Sequence, residues 1–285
     1  MGKKSRRNKD AKPKRIRIQF VERPFEGLSF ERELVAMREI IPAATLTLKT
    51  NAEHGSAEVT LVTMLPQMVG ALRRSDGVLL VAMQTVMHSG DASLDLADRI
   101  LAGIELEPGE TYAQVDQPEP GPRLQDILDA DVEPVFTLEE DFGFWVSEED
   151  AGKDDVAHAI RDSHDQLIPT RAVPGIDGAF WARMQREFVR WVRPESEDTV
   201  LNALARLQTR RELGFDGGRF VGAFRALGLL IPVFELDRGT EADELTEPMR
   251  ELEKLLDAQI ANEAPLTPDE KRAKSGIISR QVTLR

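Results

Sequence analysis

The sequence predicts an α+β protein, with an N-terminal half of mainly antiparallel strands and helices and a more helical C-terminal half. Three observations carry this prediction. Short stretches such as Thr45-Leu46-Thr47-Leu48-Lys49 alternate polar and apolar residues with the period of a half-buried strand. Longer stretches space their apolar residues three or four apart, as helices packed on one face do. Between the two patterns, Pro118, Pro120, Gly121 and Pro122 form a segment that holds neither a helix nor a central strand. The boundaries that follow are 1–14 for a disordered basic tail, 15–117 for the N-terminal half, 118–123 for a linker and 124–285 for the C-terminal half. The two halves share one sheet if the last strand returns to it.

In chain order, Arg15 to Val21 alternates as a first strand. Pro24 and Gly27 turn the chain, and Ser29 is placed as the N-cap of a helix carrying Leu34, Met37, Ile40 and Ile41 on one stripe. That helix stops at Pro42. Thr45–Lys49 and the run AEVTLVTML flank the turn NAEHGS and predict a hairpin. A short helix from Pro66 and a largely apolar strand after Asp76-Gly77 follow. Asp91 or Ser93 then caps a helix running to about Glu105, ended by Pro108-Gly109. Beyond the linker, helices are expected near 147–166, 178–192, 197–213, 218–227 and 241–262. LGLLIPVFEL is a buried strand and GIISRQVTLR a closing one.

Charge is strongly partitioned. The first 17 residues hold nine Lys or Arg and one acid, whereas the remaining chain holds 28 basic and 49 acidic residues, and the whole is −13. An acidic body repels nucleic acid and anionic lipid at long range, so a polyanion would meet the leader first. Lys3, Lys4, Arg6, Arg7, Lys9, Lys12 and Lys14 are the candidate contacts to RNA, the ribosome or another polyanion, as phosphate-neutralising charges without base readout. The alternative is a solubilising tail. The leader lacks the apolar core of a secretory signal, and no apolar run reaches the ~20 residues that span a bilayer. A cytoplasmic protein without a membrane span is expected. The absence of cysteine excludes disulfides, thiolate metal sites and a cysteine nucleophile.

Chemistry-bearing motifs are sparse, and no cofactor is expected. There is no P-loop, and GFDGGRFVG does not match the dinucleotide fingerprint. Gly217, Gly218 and Arg219 either open a helix as a phosphate cradle or simply punctuate the chain. In KDDVAHAIRDSHDQLI a helix would place Asp154, His158, Asp162 and Asp165 within roughly 80° on one face. Three carboxylates and an imidazole suit a divalent ion or acid–base chemistry. The same pattern describes any amphipathic surface helix, and His164 on the other face is expected in the core. FWARMQREFVRWVR reads either as a basic-aromatic surface for RNA or a partner helix, or as core aromatics whose arginines pair with nearby acids.

The stretches RPFEGLSFERELVAMREIIPAATLTL, SGDASLDLADRIL and GRFVGAFRALGLLIPVFEL, in this order, resemble a family of uncharacterised actinobacterial proteins of unknown function. The resemblance runs from about residue 16 to 285. Some relatives carry an N-terminal SEC-C zinc motif and are labelled preprotein translocase-like or topoisomerase-like, which implies an accessory role in secretion or protein quality control. This chain has no cysteine for that motif and a basic leader in its place. The resemblance implies no catalytic residues.

Overall fold

The computed structural model describes residues 17–153, 158, 160, 164, 167–280 and 282–283. Its strands form two sheets rather than one shared sheet. The first has six strands, in the order β5-β3-β4-β2-β1-β6: β1 (Ala44–Lys49), β2 (Glu58–Val62), β3 (Ala71–Arg73), β4 (Leu79–Ala82), β5 (Thr111–Tyr112) and β6 (Val135–Leu138). All neighbours are antiparallel except β2 and β4. The expected hairpin is β1–β2, with Leu46 opposite Leu61 and Leu48 opposite Val59. This register sends four apolar residues to one face, and all four are buried. Helices α1 (Glu31–Glu39) and α2 (Ala92–Ile104) share that core through Leu34, Met37, Leu96 and Ile100. The opposite face is covered by Phe144 and Trp145 over Val62, Leu80 and Ala82.

The stretch 118–123 leads into the short helix α3 (Leu124–Ile127), and the chain beyond it returns to the first sheet through β6. After a one-turn helix α4 (Glu148–Ala151) the second sheet begins. It contains β7 (Thr170–Ala172), β8 (Ala179–Arg183), β9 (Glu187–Trp191), β10 (Gly214–Phe215), β11 (Gly218–Ala226) and β12 (Leu229–Leu236). Its order is β10-β11-β12-β9-β8-β7, and a last strand β13 (Val282–Thr283) runs parallel to β11. Helices α5 (Glu197–Arg210), α6 (Thr246–Ile260) and α7 (Pro268–Ile278) cover one face, packing Leu204, Met249, Leu252 and Ile277 on Trp181, Trp191 and Phe234. The other face carries Phe180, Val192 and Ile231 into the core of the first sheet, where Phe180 meets Phe136 edge-on at 6.4 Å. Among the described residues no helix is long and apolar enough to cross a membrane.

The structure corrects several expected elements. Residues 178–192 are the hairpin β8–β9 and 218–227 is the strand β11, not helices. Both faces of this sheet are covered, so apolar residues occur at consecutive positions and the period-two signal is lost. Arg17 to Val21 form no strand. Phe20 is 72% exposed, and the segment is held by one backbone bond from Val21 N to Gly90 O at 3.0 Å. Helix α1 starts one residue after the position that Ser29 would cap, with Phe30 at its cap and no side-chain bond there. Residues 276–278 of the expected closing strand belong to α7 instead, which Thr267, Glu270 and Pro268 nucleate with a capping box and an N-terminal proline. The brief β3, β5 and β7 were too short to show a period.

Arg23 joins the two sheet layers. Its Nε and Nη2 donate to the two oxygens of buried Glu31 at 2.7 and 2.6 Å, and Nη2 also donates to Pro194 O at 2.8 Å. A two-pronged charged pair of this kind is among the stronger hydrogen-bonded contacts. Gly228 makes room for it: at φ +83°, a Cβ there would lie 2.6 Å from Arg23 Cβ. Arg23→Ala is expected to lower unfolding free energy by about 1–3 kcal/mol in urea titrations, because Glu31 is left buried without its cation. A change within experimental scatter would show that the layers do not depend on this contact.

Candidate functional site

A cleft of about 520 Å³ opens where four segments meet. Phe20, Val21, Glu22 and Pro24 form one wall, and Arg38 and Glu39 come from the last turn of α1. His88, Gly90, Ala92 and Asp95 come from the loop before α2 and its first turns, and Arg225, Leu227 and Gly228 from the β11–β12 turn. That turn is a two-residue connection with φ +47° at Leu227 and +83° at Gly228, the left-handed pair that matches the twist of a hairpin.

Each wall has an identifiable anchor. Arg225 bonds to Glu22 at 2.7 Å and to Glu197 at 3.1 Å, tying the N-terminal segment to the second sheet. Asp91 caps α2, accepting from Ser93 N at 3.1 Å and Leu94 N at 3.4 Å. Arg123 in turn donates to Asp91 at 2.9 Å. Asp95, fully buried one turn later, accepts from Ser89 N at 3.0 Å and so fixes the His88–Gly90 loop. Gln84 Nε2 donates to the carbonyls of Met37 and Arg38 at 3.2 and 3.0 Å, holding the end of α1 against the sheet.

One turn beyond Asp95 on α2 lies Arg99, fully buried. It donates to Ala82 O at 2.6 Å and to Gln114 Oε1 at 2.9 Å. Burial lowers its pKa to about 10, and nearby Arg38 adds to this while Asp95 and Asp98 oppose it. It therefore remains charged at neutral pH. Tyr112 donates to Asp98 at 3.1 Å, and burial, reinforced by Asp98, pushes its hydroxyl up to about 12.

Arg38 lines the cleft with a buried donor to spare. Its Nε approaches Glu39 at 3.5 Å, but Nη1 is buried with no hydrogen-bond partner among the described residues. A buried donor left this way costs about 1–3 kcal/mol. Burial also raises the Glu39 carboxyl above its ordinary range, against the pull of Arg38. Apolar walls, a guanidinium with a spare donor and a carboxyl inclined to hold its proton make a receptor for an anionic group carried on an apolar body.

Most of the sequence-predicted site residues are not described. Lys3, Lys4, Arg6, Arg7, Lys9, Lys12 and Lys14 lie outside the described residues, as do Asp154, Asp162 and Asp165. His158 is helical and exposed, and His164 is exposed rather than in the core. Among the described residues no group of three or more acids and histidines is placed to hold a metal. Gly217 ends a turn, and Gly218 and Arg219 begin a strand, not a helix, so the phosphate cradle lacks its helix N-terminus. They line a separate polar hollow of about 480 Å³ in which Arg186 and Arg219 both pair with Glu235. In FWARMQREFVRWVR the aromatics Phe180, Trp181 and Trp191 are core. Arg183 pairs with Glu187 and Glu241, and Arg193 with Glu195 and Asp257. The cleft itself was not legible, since its walls are up to about 200 residues apart in sequence and no local spacing marks them.

A family of unknown function, DUF5926, matches residues 24–285. The chain belongs to this family. The matched region takes in α1, both sheets and three of the four cleft segments, together with Pro24 from the fourth. No curated protein and no solved structure matches this family member.

Glu39 yields a pH signature. Its folded pKa lies above its unfolded value, so the native state binds the proton more tightly, and stability from this group falls as pH rises through the folded pKa. Glu39→Gln should therefore become more stable relative to the parent as pH is raised from acid to neutral, measured by urea midpoints at each pH. A difference that is constant with pH would mean that the carboxyl is not titrating in a desolvated site.

Proposed function

We propose that the protein acts by binding, and that its basic leader is the contact for RNA, the ribosome or another polyanion. The observation that supports this reading is how the cations are distributed. In the folded body Arg23, Arg74, Arg123, Arg183, Arg193 and Arg225 each face a carboxylate of the same chain. The leader concentrates seven basic residues and one acid in residues 1–14. Guanidinium groups already paired with carboxylates are poor phosphate ligands, whereas a dense run of lysines and arginines releases counterions on contact with a polyanion. The leader precedes the region matched by the family, as an attachment to the folded body would.

The reading predicts steep salt dependence. In fluorescence-anisotropy titrations with a single-stranded RNA, log affinity should fall against log salt with a slope of about 0.7 per phosphate contacted. A full-length variant with Lys3, Lys4, Arg6, Arg7, Lys9, Lys12 and Lys14 changed to Gln should lose most of that affinity and most of the slope, with its unfolding midpoint unchanged. Equal RNA binding by this variant would refute the leader as the contact and favour a solubilising role.

A further inference from the structure

We propose that the cleft between the N-terminal segment, α1, α2 and the β11–β12 turn is a binding site for a small organic carboxylate with an apolar body. The inference does not depend on the leader, because every lining residue it uses lies among the described residues. Three features point to this ligand class. The first is the unpartnered donor: Arg38 Nη1 is buried beside the cleft without an acceptor among the described residues, and the planar guanidinium suits a carboxylate. The second is the wall chemistry. Phe20 is 72% exposed at the lip, its ring packed beside Gly90, and Val21, Pro24 and Leu227 continue the apolar surface. The volume, about 520 Å³, falls in the range of small-molecule sites.

The third feature selects a monoanion over phosphate. Glu22, Glu39 and Asp95 are the acids lining the cleft, and Arg225 is already engaged by Glu22 and Glu197. Arg38 is thus the lining guanidinium with a donor to spare. A doubly charged phosphate would be opposed by these carboxylates. A carboxylate brings one charge to Arg38, accepts a hydrogen bond from Glu39 when that group is protonated, and leaves its apolar body against Phe20 and Leu227. His88, exposed at the mouth, offers a further polar contact.

The test uses the full chain, isotope-labelled for amide NMR, with 3-phenylpropionate as probe and 3-phenylpropanol and inorganic phosphate as controls at the same millimolar concentrations. 3-Phenylpropionate should shift the amides of Val21, Ser89, Gly90 and Gly228 in a saturable manner, and the alcohol and phosphate should bind at least about tenfold more weakly. Arg38→Met should lose about tenfold or more in affinity, with an unfolding midpoint equal to or above the parent's because a buried unpaired donor has been removed. Phe20→Ala, at an exposed position that leaves the core untouched, should weaken binding as well. Equal binding of acid and alcohol, stronger binding of phosphate, shifts confined to other parts of the chain, no saturable shift, or full binding by Arg38→Met would each overturn the proposal.

Discussion

A buried guanidinium organises the N-terminal half. Arg99 has no exposure, and a charge in that position costs several kcal/mol unless its donors are satisfied and opposite charges lie near. Ala82 O and Gln114 supply the acceptors, and Asp95 and Asp98 supply the field. These demands fix helix α2 against the end of β4 and draw in the segment after β5. Asp95, one turn before Arg99, is then positioned to hold Ser89 N. The loop so fixed accepts the backbone of Val21 at Gly90 O. The cleft follows from one buried charge through a chain of short contacts.

The same economy of charge runs through the rest of the body. Arg23 spans the two layers by meeting Glu31 on one side and Pro194 O on the other. Arg225 does so between Glu22 and Glu197. Most of these pairs are partly exposed, so each adds modestly to stability. Their larger effect is to hold the N-terminal segment against the β11–β12 turn and Pro194. Among the described residues lining the cleft, Arg38 Nη1 is left as a buried donor without an acceptor.

How much of this was legible in the sequence depended on periodicity. The β1–β2 hairpin, the stripe of α1, the Asp91 cap of α2, the helix at 197–210 and the strand LGLLIPVFEL each have a local signal strong enough to read. The β8–β9 hairpin did not, because Phe180 and Trp181 are both buried although they point to opposite faces, so a strand covered on both sides mimics a helical stripe. Gly218 starts a strand that bulges at Phe220 to Gly222, where Gly217, Gly218 and Arg219 had suggested a helix opening instead. Arg99 was equally hidden: in SGDASLDLADRIL it looks like any charged residue on an amphipathic helix, and only tertiary packing buries it. The cleft needed four separate segments and the topology that gathers them.

The most direct test of this account is native-state hydrogen exchange on Arg99→Met, read at single amides. If the buried guanidinium holds the cleft wall together, protection at Ser89 and Val21 should fall sharply while Trp181 and Val189 in the second sheet keep theirs. Unchanged protection at Ser89 and Val21 in a folded Arg99→Met would contradict it.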